Sequence, residues 1–299
     1  MTKVLNFGSL NHDHVYRVPH FVRAGETLAT LSRAIYAGGK GLNQSIALAK
    51  AGADVSHAGC AAQDGHTLTD WMASCGVHVD QMDYSADETG HTIIQVNDEG
   101  QNSILLHHGG NFQITEAYMD RVLAQYQEGD VLVLQNEIND IAILIEKAAA
   151  RGMRIALNPS PFESCILSFP LDHVTWLLLN EIEGNQMTGK TEPNDILDVL
   201  LKQYPNMRVV LTLGEAGVCY RDAANQYQQG IYAVNAVDTT AAGDTFTGFF
   251  LAELLREASI PQALSIAAKA AAVAISRAGA SPSIPTLQEV QESTLSLKP

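Results

Sequence analysis

The second half of the chain alternates between short apolar runs and longer segments with helical spacing. From residue 115 onward the predicted elements are, in order, a helix at 115–126, a strand at 131–134, a helix at 141–151, strands at 155–157 and 176–179, a helix at 196–203, a strand at 209–213, and helices at 245–257 and 262–277. Continuous apolar runs are typical of strands buried on both faces, and the intervening helices cover those faces. We therefore predict an α/β fold, a doubly wound and mostly parallel sheet with helices on both faces, in one domain spanning 1–299.

Two extended segments in the first half, at about 14–36 and 89–107, do not fit this alternation. In the second of them, strand-like runs at 92–96 and 103–106 flank a polar turn at 97–101, which is a hairpin pattern. We expect the two segments to form a small sheet beside the main one. Around them, the predicted elements are strands at 4–7 and 55–60 and helices at 46–50 and 68–75.

The charge balance excludes one class of partner. The 299 residues include 33 Asp and Glu against 18 Lys and Arg, a formal net charge of −15. Nucleic-acid binding needs clustered Lys and Arg, so we expect no nucleic-acid partner. The four cysteines are scattered without a C-x-x-C pair, which predicts neither a disulfide framework nor a zinc site. No signal-peptide pattern and no membrane-length apolar run is present, so we expect a cytoplasmic protein that does not bind membranes.

Small residues lead directly into an acidic one near residue 244. Ala241, Ala242 and Gly243 precede Asp244, and an apolar run with helical spacing follows. The first N–H groups of a helix lack internal partners and carry positive potential, and small side chains let an anion approach them. Asp244 is therefore either the N-cap of this helix or a chemical group beside a bound phosphate. Taken alone, the stretch favours the cap.

A glycine-rich turn at 38–41 precedes the predicted helix at 46–50. It fails the phosphate-loop pattern, because Ala34 stands where the first glycine belongs and Gly41 follows Lys40. The glycines still allow the backbone to approach a ligand, with Lys40 and Asn43 offering hydrogen-bonding groups at helical spacing. The alternative is a tight strand-to-helix turn with Lys40 facing solvent.

Polar residues also follow several predicted strands. Because ligands bind at the carboxyl ends of parallel strands, these residues are candidates for a site. Asn180 and Glu183, three residues apart, could reach a magnesium ion directly or through its waters. The segment 212–217 suits contact with a nucleotide phosphate or ribose, or equally a hairpin turn. The residues that we expect at one sheet edge are Asn11, Asp13, Lys40, Asn43, Glu137, Asn180, Glu183, Thr212 and Asp244.

The segments 38–44 and 238–246 together resemble the PfkB sugar-kinase family, and within it the ribokinases. Shorter matches at 8–13, 158–161, 180–183 and 212–214 extend the resemblance over nearly the whole chain. It implies an ATP-dependent phosphotransferase that phosphorylates the O5 hydroxyl of D-ribose to ribose 5-phosphate. Alternatives are a kinase for another furanose such as deoxyribose, a nucleoside kinase, or a binding regulator without catalysis. We expect Ile93, Leu105 and His107 to help decide among the acceptors.

The resemblance implies a role for each matching residue. Asp244 is the expected general base, and Ala241, Ala242 and Gly243 complete the anion hole. The expected sugar ligands are Asn11, Asp13, Gly39, Lys40, Asn43, Glu137 and Asp244. The expected ATP contacts are Asn180, Glu183, Thr212, Leu213, Gly214, Glu215, Gly217, Gly243 and Ala268. Relatives often carry Asn or His at the last position, so adenine is held here by packing alone or the preferred nucleotide is less strictly ATP.

The resemblance also implies ions and a partner. Asn180 and Glu183 match the magnesium site, with the ion held through water. A potassium activator is expected near the base, because a cation would offset the charge of Asp238 beside the phosphates. The matching potassium positions are Asp238, Thr240, Ala274, Arg277, Gly279 and Ser283. The segments 14–36 and 89–107 match the family's lid over the sugar, through which we expect a homodimer.

Overall fold

Twelve strands and nine α-helices make up the part of the chain that the computed structural model describes, residues 2–298. The strands are β1 (Val4–Phe7), β2 (Asn11–Arg17), β3 (Ser32–Gly38), β4 (Val55–Ala58), β5 (Gly90–Val96), β6 (Asn102–His107), β7 (Val131–Gln135), β8 (Arg154–Asn158), β9 (Trp176–Asn180), β10 (Arg208–Thr212), β11 (Val218–Arg221) and β12 (Gln226–Gln229). The helices are α1 (Lys40–Lys50), α2 (His66–Ser74), α3 (Glu116–Leu123), α4 (Ile141–Ala150), α5 (Glu181–Thr188), α6 (Pro193–Gln203), α7 (Ala242–Leu255), α8 (Ile260–Ile275) and α9 (Leu287–Glu292).

The main sheet has eight strands in the order β12-β11-β10-β9-β8-β7-β1-β4. The six strands from β10 to β4 are parallel, and β11 and β12 add an antiparallel edge. The predicted mostly parallel sheet is confirmed. Because the six strands run in one direction, their carboxyl ends share one edge of the sheet, where the loops after β1, β7, β8, β9 and β10 meet.

Helices cover both faces of this sheet. On one face, Phe7 and Leu132 pack with α3, α4 and α6. On the other, Val4 and Val131 pack with α1, α2, α7, α8 and α9. Successive side chains of a strand point to opposite faces, so the apolar residues 131–134 of β7 pack alternately into the two layers.

The small sheet has the order β3-β2-β5-β6 and is built mostly from the two segments expected to form it. Asp13 on β2 lies opposite Tyr36 on β3 and Thr92 on β5, so these three side chains share one face. Ile93 and Leu105 are paired with each other and lie on the opposite face, as does His107, which pairs with His91. We expected Ile93, Leu105 and His107 to help decide among the acceptors; they lie on the face opposite Asp13, and their effect on the acceptor stays a prediction.

Some predicted boundaries were also wrong. Helix α1 begins at Lys40, six residues before the predicted start, because the glycine-rich turn closes directly into the helix. The sequence analysis missed α5, α9, β11 and β12. The first two are short, and the polar edge strand Gln226–Gln229 lacks an apolar run. No helix within residues 2–298 is long and apolar enough to cross a membrane.

Candidate active site

Asp244 lies in the first turn of α7 but does not cap it. The N-cap residue is Ala241, whose backbone has a left-handed conformation with φ of 60°, and Asp244 is the third residue of the helix. The carboxylate instead accepts hydrogen bonds from Nδ2 of Asn43 at 3.1 Å and from Nε2 of Gln44 at 2.9 Å. It is only 6% exposed. The capping interpretation is therefore wrong, and the carboxylate is held by α1 instead.

An open cleft of about 240 Å³ lies in front of this turn. A β-carbon added to Gly243 would meet no atom within 4 Å, so nothing fills the space beside that residue. The first N–H groups of a helix have no partner within it, which suits such a turn to an anion. Here the N–H of Ala242 donates to the carbonyl of Thr239 at 3.3 Å. The cleft is lined by Lys40, Asn158, Ser160, Leu178, Leu179, Asn180, Glu183, Thr212, Thr239, Ala241, Ala242, Gly243, Asp244, Phe246 and Thr247.

The glycine-rich turn brings Lys40 and Glu137 together. Gly39 has φ of 98°, which favours glycine, and the backbone N–H of Lys40 donates to Oε2 of Glu137 at 2.9 Å. Ser9 donates to the same oxygen, so the carboxylate is fixed at the positive end of α1. The Lys40 side chain is half-buried and lines the cleft, so the solvent-facing alternative is wrong.

The charge of Lys40 is maintained by its acidic neighbours. Burial acts to lower the pKa of its ammonium group, but the carboxylates of Asp244, Glu137 and Glu183 together raise it above its ordinary value. The cleft therefore contains one persistent positive charge among three carboxylates.

The sugar-side residues predicted on β2 are held by neighbours that the sequence analysis missed. Asn11 is buried and accepts a hydrogen bond from Nδ2 of Asn111 at 2.8 Å. Asp13 accepts one from Oγ1 of Thr92 at 2.6 Å. Burial, reinforced by the charge of Glu137 and opposed by the Thr92 bond, raises the pKa of Asp13 to about 6. No local signal marked Asn111 or Thr92, since both act across distant parts of the chain.

Asn180 and Glu183 form a capping box at the start of α5. The side chain of Asn180 accepts from the backbone N–H of Glu183 at 2.9 Å, and Oε2 of Glu183 accepts from the N–H of Asn180 at 3.0 Å. Both residues line the cleft, and the second oxygen of Glu183 is not used by the capping box. The donor set therefore suits a magnesium ion held through water.

Of the remaining predicted ATP contacts, some line the cleft and others lie outside its lining. Thr212 lines the cleft, but Leu213, Gly214, Glu215 and Gly217 belong to the turn between β10 and β11. Leu213 donates to the carbonyl of Gly217 at 2.8 Å, so the hairpin alternative is confirmed there. Ala268 lies on α8 and packs against the core layer beside it. Contact of these residues with a nucleotide stays a prediction.

The predicted potassium positions come from two segments that lie together. Oδ1 of Asp238 accepts from N and Oγ1 of Thr240 at 2.9 and 2.6 Å, and Oδ2 accepts from the N–H of Gly279 at 3.0 Å. Burial acts to raise the pKa of Asp238, but these hydrogen bonds lower it below its usual value. Ala274, near the end of α8, and Ser283 lie within five residues of Gly279 in the sequence, and both are buried. The side chain of Arg277 forms an ion pair with Glu289 at 2.7 Å.

A carboxylate such as that of Asp238 is a ligand suited to a hard cation, and potassium binding at these positions stays a prediction. Within residues 2–298, no group of three or more His, Cys, Asp or Glu side chains could hold a metal by itself.

Two residues near the Asp244 carboxylate were not predicted as site residues: Asn158, which lines the cleft, and Gln44, which is buried behind it. Nε2 of Gln44 donates to Oδ1 of Asn158 at 3.2 Å as well as to Asp244. Asn158 ends β8 at the carboxyl edge of the sheet, so the rule that identified Glu137 would also have identified Asn158. Gln44 directly follows Asn43 in the glycine-rich segment, but nothing local indicates which face of α1 carries it.

Comparison with known proteins gives one consistent result. Residues 1–287 match the model of the pfkB family carbohydrate kinases. The chain is 35% identical to a ribokinase of Haemophilus influenzae, with 98% of each chain covered. The structure resembles that of Arabidopsis thaliana ribokinase complexed with ribose and ATP, with a TM-score of 0.87, 28% identity and 97% and 98% coverage. It also resembles Cryptococcus neoformans ribokinase in complex with ADP, with a TM-score of 0.84, 30% identity and 98% and 99% coverage.

Proposed function

The chain belongs to the pfkB family of carbohydrate kinases, and we propose that it is an ATP-dependent kinase that phosphorylates the O5 hydroxyl of D-ribose. The observation that carries the proposal is the position of Asp244. Its buried carboxylate lies in the first turn of α7, directly after Gly243, beside an open cleft. A base and an anion site adjoin there, as transfer of a phosphoryl group to a hydroxyl requires.

In this proposal the sugar lies between the small sheet and the N-terminal turn of α1. Asp13 and Glu137 offer carboxylate oxygens, and Asn11 and Asn43 offer amide groups. Such groups can bind both hydroxyls of a vicinal diol, which distinguishes a polyol from its deoxy analogue. Gly39 and Lys40 would complete the pocket.

Asp244 would accept the proton of the attacking hydroxyl. A carboxylate is a weak base, but phosphoryl transfer is largely dissociative, so the proton leaves late. The N–H groups around Ala241, Ala242 and Gly243 would stabilise charge that develops on the transferring group, together with the cation of Lys40. The chain's main contribution is then positioning and electrostatic stabilisation.

Two ions belong to the proposal. Magnesium, which neutralises phosphate charge, would be held through water near Asn180 and Glu183. Potassium would be held by the residues around Asp238, Thr240 and Gly279, with Ala274, Arg277 and Ser283 completing the site. The lowered pKa of Asp238 supports this assignment, because the group is already ionised beside the anion site.

We also propose a homodimer formed through the small sheet. Large apolar side chains are substantially exposed on both faces: Tyr36, Ile104 and Leu106 on the Asp13 face, and Ile35, Ile93 and Leu105 on the other. A sheet face and edges of this kind are pairing surfaces unless another chain covers them. The expectation of a cytoplasmic location stays a prediction.

A panel assay tests the acceptor. Purified protein with ATP, Mg²⁺ and K⁺ would be given ribose, deoxyribose and a set of nucleosides, and ADP formation would be measured. We expect turnover on ribose with a higher kcat/KM than on deoxyribose. Turnover confined to nucleosides would replace the sugar assignment. No turnover on any acceptor would favour a binding regulator, although the intact Asp244 and small residues before it argue against one.

A further inference from the structure

We propose that Gln44 and Gln135 are positioning residues, which form a one-way chain of hydrogen bonds that holds the carboxylate of Asp244 in its reactive orientation. The proposal rests on the function proposed above, in which Asp244 is the base. Neither glutamine touches solvent: both side chains are fully buried. Buried polar atoms are usually hydrogen-bonded, and the amide nitrogens of both glutamines are, although Oε1 of Gln135 has no partner among the described residues.

The chain of contacts is continuous from the sheet core to the base. Nε2 of Gln135 donates to Oε1 of Gln44 at 2.7 Å, and Nε2 of Gln44 donates to Oδ1 of Asp244 at 2.9 Å. Each bond points toward Asp244. Donors aligned in one direction polarise one another, which strengthens the last bond of the series.

Fixed backbone acceptors determine that direction. Nδ2 of Asn6 donates to the carbonyl of Gly41 at 2.8 Å, which turns Oδ1 of Asn6 toward Nε2 of Gln135 at 3.0 Å. Likewise Nδ2 of Asn158 donates to the carbonyl of Leu178 at 2.8 Å, so Oδ1 of Asn158 faces Gln44. A carbonyl cannot donate, so neither asparagine can rotate its amide without losing a bond.

The consequence for Gln44 is a single allowed orientation. If its amide rotated, its oxygen would face Asp244 and Asn158, both acceptors, and its nitrogen would face the donor of Gln135. All three contacts would be repulsive. With Gln135 removed, the oxygen of Gln44 loses its only donor in this network, and the constraint on the Asp244 contact weakens. Gln135 therefore acts on the base through Gln44, the one residue in the described part of the chain that it shares with Asp244 as a hydrogen-bond partner.

The kinetic test uses Gln44→Met, Gln135→Met and the double variant, since methionine has similar length without an amide. We expect kcat to fall about 100-fold for Gln44→Met and about tenfold for Gln135→Met, with KM for ribose and ATP within twofold of wild type for Gln135→Met. Because Gln135 acts through Gln44, the double variant should have the kcat of Gln44→Met alone. A kcat loss in which the two effects multiply, or a wild-type kcat for Gln135→Met, would overturn the proposal.

A matched control is Ser45→Ala. Ser45 accepts from Nδ2 of Asn6 at 2.8 Å, but the Gly41 carbonyl still orients that amide in the variant. Its kcat should stay within twofold of wild type, and a loss as large as that of Gln135→Met would contradict the directional mechanism.

A second readout does not depend on turnover. In ligand-free protein with ¹⁵N-labelled glutamine, the side-chain amide signal of Gln44 should shift in both Gln135→Met and Asp244→Asn. A Gln44 signal that ignores Gln135→Met overturns the chain. If the signals are coupled but wild type phosphorylates no acceptor, the proposed function fails and the positioning chain stands.

Discussion

Nδ2 of Asn43 donates a hydrogen bond to Oδ2 of Asp244 at 3.1 Å, which joins the first turn of α1 to the first turn of α7. The two residues are 201 positions apart in the chain. Because Asn43 belongs to the proposed sugar site and Asp244 to the anion site, this bond lies where the acceptor hydroxyl and the phosphoryl group would meet.

Asp244→Asn should lower kcat by about 10²- to 10⁴-fold, which is the usual contribution of a general base. Nucleotide affinity should change little, because the backbone N–H groups of the turn remain. The measurements are steady-state kinetics with ribose and calorimetry with ADP. A variant with near-normal turnover would remove Asp244 from its proposed role.

Gly243→Val should abolish most phosphoryl transfer without harming the fold. The added side chain would occupy open space beside the anion site, and the residue does not need a positive φ. Gly230→Val is the matched control, since Gly230 also has open space and no positive φ but lies outside the cleft lining. We expect similar thermal unfolding for both variants and loss of kcat/KM for ATP only at position 243. Equal kinetics for the two variants would contradict an anion site there.

Replacing K⁺ with choline should reduce activity several-fold, and Asp238→Asn should lose most of this ion dependence. The reason is that Asp238 supplies the negative charge that a monovalent cation would balance. Initial rates at constant ionic strength, with Na⁺ as a further comparison, check the prediction. Indifference of wild type to the cation would leave the Asp238 loop with a structural role only.

Ribose affinity should fall by about tenfold between pH 7.5 and pH 5. Burial raises the pKa of Asp13 to about 6, so at pH 5 only about one tenth of the protein carries the carboxylate that binds hydroxyls. Calorimetry without nucleotide avoids the titration of ATP phosphates. Asp13→Asn should bind ribose more weakly, with no such pH dependence. A wild-type affinity that is flat over this range would exclude ionised Asp13 as a ligand.

His57 should make folding sensitive to acid. Burial lowers its pKa to about 3, below the ordinary 6.5, and its Nδ1 contacts Oγ of Ser45 at 2.9 Å. The unfolded chain therefore binds the extra proton first, so the stability contribution is present above pH 6.5 and is lost as pH falls toward 3.

Relative to His57→Gln, wild type should lose about 2 kcal/mol of unfolding free energy between pH 7 and pH 5. Urea denaturation of both proteins at the two pH values measures this difference, and subtraction cancels the opposite effect of Asp13. Parallel pH profiles of the two proteins would contradict a neutral buried His57.

The sequence alone determined the class of fold and placed a helix start near Asp244, at residue 245 against the observed Ala242. Apolar runs and helical spacing can be read from neighbouring residues in the sequence. They predict a sheet that is buried on both faces even when the order of its strands is unknown. The small residues at 241–243 likewise predicted an open helix N-terminus. The resemblance to the sugar kinases further predicted about half of the residues that line the cleft.

Only the tertiary structure decided which groups touch. Asp244 could be a cap or a base until the structure placed Asn43 and Gln44 on its two oxygens and Ala241 at the N-cap. The position of Ile93 on the face opposite Asp13 was decided in the same way, because a shift of one residue along a strand reverses the side of the sheet. These contacts depend on strand order and register, which bring together residues about 200 positions apart in the chain. No local sequence pattern predicts which of these distant residues are in contact.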